Sequence, residues 1–134
     1  MIKLSIEHIG YITKSIEKTA ETFNALGYVA GPVIDDDTQK SRICFLRKED
    51  EVNIELVEPY PENTTMLKML KKGTTPYHVC YRVTDIFDAC RQLKDIGFTP
   101  LFEPVGAPAF DNRPICYFWK NDVGLLEIVE QEKR

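Results

Sequence analysis

The chain has 134 residues, enough to bury one core and too few for two independent ones. Its 43% hydrophobic and 28% charged residues are those of an ordinary globular protein and exclude a disordered chain. A formal net charge of -4 with no basic run offers nothing to grip a phosphate backbone, and no apolar run is long enough to span a bilayer. Neither nucleic acid nor membrane is an expected partner.

The opening segment MIKLSIEHIG has no basic stretch followed by an apolar one, so a cytoplasmic protein is expected. A strand opens at His8. Ser15 then stands as N-cap before an amphipathic helix with Ile16, Ala20 and Phe23 facing inward, and Gly27 follows as a stop that tolerates positive φ. Three β-rich stretches come next, near 28–33, 41–48 and 52–59. Asp35, Asp36 and Asp37, followed by Thr38, Gln39 and Lys40, fall between the first two and read most simply as a solvated turn. Residues 59–73, with Met66, Leu67, Met69 and Leu70, predict a linker holding a short helix that ends at Gly73.

The same order then recurs. A strand opens at His78, Asp85 caps a helix with Ile86, Cys90 and Leu93 inward, Gly97 ends it, and β-rich stretches follow near 98–104, 114–120 and 124–131. The connection GAPAFDNRP carries Asn112 and Arg113, which suit a carboxylate or phosphate but serve a plain surface loop equally well. Cys44, Cys80, Cys90 and Cys116 are too widely spaced for a CxxC motif and sit in apolar segments, as buried small hydrophobes would.

The recurrence is a sequence repeat. Residues 8–28 align with 78–98 without a gap at a shift of 70, with His8 on His78, Tyr11 on Tyr81, Ile16 on Ile86 and Gly27 on Gly97. Residues 43–58 align with 115–130 at a shift of 72 and share seven identities in sixteen, where average residue usage gives roughly one by chance. The result is a βαβββ module repeated, within one domain covering 1–134: module one 1–59, linker 60–75, module two 76–134.

The chain's two histidines superpose in this repeat, and so do Glu55 and Glu127, each set among aliphatic residues on a strand. A carboxylate there must be paired, hydrated or metal-bound. Glu58 and Glu130 also repeat, but strand alternation puts them on the opposite face, toward solvent. Pairing the halves would gather His8, Glu55, His78 and Glu127 as a mixed N/O set. Such a set suits one divalent cobalt, nickel, zinc, manganese or iron ion, with positions left for substrate.

HIGY, YHVCYRV, IELVEP and GLLEIVE resemble the ligand-bearing strands of the vicinal oxygen chelate superfamily (glyoxalases, bleomycin resistance proteins, dioxygenases), with methylmalonyl-CoA epimerases and glyoxalase I-like proteins nearest. The resemblance implies an α+β fold in which the paired modules make a cup-shaped, partly open mixed β-barrel. It carries over His8, Glu55, His78 and Glu127 as metal ligands, with Glu127 also a catalytic acid/base. It implies a metal-dependent epimerase or isomerase that removes a proton alpha to the carbonyl of an acyl thioester, with methylmalonyl-CoA as candidate. A second acid/base should then come from Asp35, Asp36 or Asp37. Glutamate at Glu55 is the glyoxalase I choice where epimerases often carry glutamine, so a lyase acting on a glutathione or other thiol adduct is the rival. Ile12 stands where glutathione-using relatives commonly carry arginine. An extradiol dioxygenase, a non-catalytic small-molecule binding or resistance protein, and an interaction module whose repeat survives only for packing complete the alternatives. Edge strands of such open sheets would also let two copies pair as a homodimer.

Overall fold

The computed structural model describes residues 2–132. In chain order the elements are β1 (Ser5–Ile12), α1 (Ile16–Ala25), β2 (Val29–Asp36), β3 (Ser41–Arg47), β4 (Asn53–Pro59), α2 (Thr64–Leu70), β5 (Thr75–Val83), α3 (Ile86–Asp95), β6 (Thr99–Pro100), β7 (Val105–Ala107), a 3-10 turn (Pro108–Phe110), β8 (Arg113–Lys120) and β9 (Gly124–Glu130). They group into two compact units, residues 8–77 and residues 78–132 together with 2–7.

In the first unit the strand order is β2-β3-β4-β1, with β1 parallel to β4 and the other pairs antiparallel. The second runs β5-β9-β8-β6, with β7 also on β8 and β5 parallel to β9. In each unit the strands form a mixed set with one helix between its first two strands in the chain, the order expected from the repeat and the α+β class that the resemblance implies.

Period-two alternation sorts each sheet into a helix face and a second face. In the first unit Cys44, Leu46, Ile54 and Leu56 pack with Ile16 of α1, and Tyr11, Phe23 and Tyr28 stack edge to face beside them. In the second unit Cys116, Phe118, Leu126 and Ile128 pack under Ile86, Ala89, Cys90 and Leu93 of α3. His8 and Glu55, and likewise His78 and Glu127, are left for the other face of their sheets.

Both helices begin as the sequence indicates. The Ser15 hydroxyl accepts from the Lys18 N–H, and the Asp85 carboxylate accepts from the Phe87 and Asp88 N–H groups. Gly27 and Gly97 follow with φ of 98° and 102°, the left-handed conformation that ends a helix cheaply only at glycine.

Two expectations change. Residues 98–104 do not form one long strand: Pro100 and Pro104 lack an N–H, and β6 shrinks to two residues with β7 beginning after Pro104. Glu58 and Glu130 lie on the helix face as expected, yet they are not given over to solvent. The Ile16 N–H donates to Glu58 at 3.0 Å and the Ile86 N–H donates to Glu130 at 3.1 Å. Each carboxylate thereby satisfies a first-turn donor and meets the positive end of its helix. Replacing Glu58 or Glu130 with Ala should cost about 1 kcal/mol each in urea unfolding; unchanged midpoints in both would contradict this capping role.

The four cysteines are free and buried. Burial pushes the thiols of Cys44 and Cys90 up and that of Cys116 up to about 12, so these three are poor nucleophiles at neutral pH.

Candidate functional site

In the first unit the non-helix face carries His8 from β1, Asp36 from the end of β2, Phe45 and Arg47 from β3, and Asn53 and Glu55 from β4. His8 is fully buried and Glu55 is 3% exposed, with Nε2 and Oε1 3.4 Å apart. Phe45, directly opposite Glu55 in the ladder, sets its ring edge-to-face on the imidazole at 5.4 Å and shields that side from water.

The second unit repeats the arrangement. His78 is 4% exposed and Glu127 3%, with Nε2 and Oε1 3.0 Å apart. Tyr117 lies opposite Glu127 and stacks on His78 at 5.3 Å, as Phe45 does on His8. Duplication has thus preserved a donor pair together with its aromatic wall, more than packing alone requires.

Burying a carboxylate against an imidazole is costly unless the charge is compensated. Imidazole and carboxylate donors of this kind could hold a metal ion. The spacing fits: an ion about 2.1 Å from each donor puts neighbouring ligands about 3.0 Å apart in octahedral and about 3.4 Å apart in tetrahedral geometry. Both pairs have that separation.

The three aspartates separate clearly. Asp35 and Asp37 are exposed, whereas Asp36 is 3% exposed at the end of β2, on the face that carries Glu55. Its carboxylate accepts from the Gln39 N–H at 2.9 Å. Burial pushes its carboxyl up, and Glu55 adds a like charge, against the downward pull of the Gln39 and Thr38 N–H groups. The solvated-turn reading therefore fails for Asp36. Nothing local in the sequence marks it out, because the first five residues of β2 are all exposed and the strand expected near 28–33 stops short of it.

The connection before β8 brings less. Asn112 is exposed, with φ of 62°. The Arg113 guanidinium donates to the main-chain carbonyls of Phe110 and Glu130, so it staples the loop to β9 instead of presenting a free fork. No helix among the described residues is long and apolar enough to cross a membrane.

Residues 7–117 match the glyoxalase/bleomycin resistance protein/dioxygenase superfamily model. The chain is 25% identical over 130 residues to an ethylmalonyl-CoA/methylmalonyl-CoA epimerase of Cereibacter sphaeroides, covering 94% of this chain and 96% of that protein. Its fold superposes on a methylmalonyl-CoA epimerase from Mycobacterium tuberculosis with a TM-score of 0.84 and 24% identity, over 96% of this chain and 88% of that one. A variant methylmalonyl-CoA epimerase of Streptomyces coelicolor in complex with 2-nitronate-propionyl-CoA gives 0.85 and 21% identity, over 99% and 100%. With four-fifths of its length matched by the family model and its repeated βαβββ units matched in shape, the chain belongs to the glyoxalase/bleomycin resistance protein/dioxygenase superfamily.

Proposed function

We propose that this protein is a divalent-metal-dependent epimerase acting at the carbon alpha to an acyl-thioester carbonyl, with methylmalonyl-CoA as first candidate. The single observation that carries the reading is the duplicated, buried imidazole–carboxylate pair with ligand-like separation in each half. In this reading the chain is one domain of two modules, and His8, Glu55, His78 and Glu127 hold one ion between them. The four free thiols suit a reducing, cytoplasmic setting.

A bound divalent ion supplies Lewis acidity at the oxygen where negative charge develops as the alpha proton leaves. Epimerisation also needs a proton acceptor on one face of that carbon and a donor on the other. Glu127 fills one role. Asp36 fills the second: it is the buried member of its acidic run, on the Glu55 face of its sheet, and burial favours its neutral, proton-carrying form. The aromatic walls Phe45 and Tyr117 keep water from the imidazoles.

Metal-loaded protein should incorporate solvent deuterium at C2 of methylmalonyl-CoA, seen by mass spectrometry, and interconvert the two C2 epimers. No exchange would remove that substrate. One observation favours a second reading: a carboxylate, Glu55, beside His8 matches the ligand type of glyoxalase I. Turnover of methylglyoxal adducts of glutathione or another thiol, in place of deuterium exchange, would select that lyase.

A further inference from the structure

Of the described arginines, Arg42, Arg82 and Arg91 bind carboxylates and Arg113 binds main-chain carbonyls. Among the described residues Arg47 alone of these has no hydrogen-bonded or ionic partner. It sits at the exposed end of β3, two residues from Phe45 and so on the same face as His8 and Glu55. Its guanidinium carbon lies 5.4 Å from the centre of the Phe45 ring, which is itself 5.4 Å from the His8 ring centre. The guanidinium is therefore no farther from the imidazole than twice that distance, within the reach of one small molecule. Asn53, in register with His8 and on the Glu55 face, adds a polar group at the same end of the sheet. The repeat puts Trp119 at the matching position of the second half, so this cation belongs to the first half alone.

We infer that Arg47 is an anion-binding, specificity-determining residue of this site, receiving a carboxylate or phosphate of the substrate beyond the end that reacts. The inference deepens the acyl-thioester reading and rests on it. Resting over the Phe45 ring narrows where the guanidinium can sit, which lowers the entropy lost when an anion docks on it. An anionic substrate approaching a face that carries the Glu55 carboxylate gains from a positive charge beside it, and Arg47 provides one.

The test is calorimetric binding of two probes, malonate and coenzyme A, to the metal-loaded full chain and to Arg47→Gln and Arg47→Lys. Removing one charge-assisted contact should weaken binding about tenfold or more. Weakening for malonate alone assigns the partner as a carboxylate, and weakening for coenzyme A alone assigns it as a phosphate. Arg47→Lys, which keeps the charge but loses the fork, should recover part of the affinity. Equal affinities in parent and Arg47→Gln, or no binding of either probe by the parent, overturn the inference. Deuterium exchange is scored separately: its absence with Arg47-dependent binding intact removes the epimerase reading and leaves the anion site standing.

Discussion

Protein purified without chelators should carry near one equivalent of divalent metal per chain, and replacing a ligand in either half should abolish it. His8→Ala and Glu55→Ala in the first pair, like His78→Ala and Glu127→Ala in the second, should lower affinity on the order of 100-fold or more, because even outer-shell changes at metal sites cost 10- to 100-fold. The stoichiometry decides between one shared ion and two independent half-sites. Two equivalents, with each variant losing only one, would break the four-ligand reading. Metal at 100 times its dissociation constant stabilises the folded chain by about 2.7 kcal/mol, which raises the melting temperature by about 10 °C. The variants should show no such rise. Without metal, His78→Ala should be markedly less stable than the parent, because it removes the imidazole beside a carboxylate that is 3% exposed. A parent that takes up none of cobalt, nickel, zinc or manganese would point instead to a metal-free binding protein of the same superfamily.

Asp36→Asn should lower proton exchange by 10²- to 10⁴-fold, the usual contribution of a placed acid/base group, while the folded protein becomes more stable at neutral pH. The sign follows from its environment. Burial is the largest influence on Asp36 and raises its carboxyl above the unfolded value. Its contribution to stability is therefore fully present below the unfolded carboxylate range and is lost as pH rises through the raised folded value. Asparagine keeps the oxygen that accepts from the Gln39 N–H at 2.9 Å and carries no charge to desolvate. The melting temperature of Asp36→Asn should exceed that of the parent at pH 7, and the difference should vanish near pH 3. Full activity in this variant, with Asp35→Asn or Asp37→Asn inactive, would move the role to an exposed neighbour.

The candidate ligands were legible because the chain was duplicated. A histidine on a strand or a glutamate among aliphatics carries little information alone, but one pair superposed on another selects His8, Glu55, His78 and Glu127 from all other combinations. The structure buries all four and sets Glu55 beside His8 and Glu127 beside His78, each within its own unit. The helix signals at Ser15, Asp85, Gly27 and Gly97 were equally local, since a cap is made by residues within one turn of each other.

The sequence by itself therefore determined the repeated βαβββ order, both helices with their caps and stops, the four candidate ligands and the family resemblance. Only the tertiary structure decided which aspartate is buried, because that depends on β2 running on to pair Asp36 with Ser41. It also turned Glu58 and Glu130 into helix caps, committed Arg113 to carbonyls and left Arg47 over the Phe45 ring without a carboxylate. The division has one physical reason. Periodicity and capping are written in neighbours along the chain, whereas burial and hydrogen-bond partners are set by strand register and by residues tens of positions away.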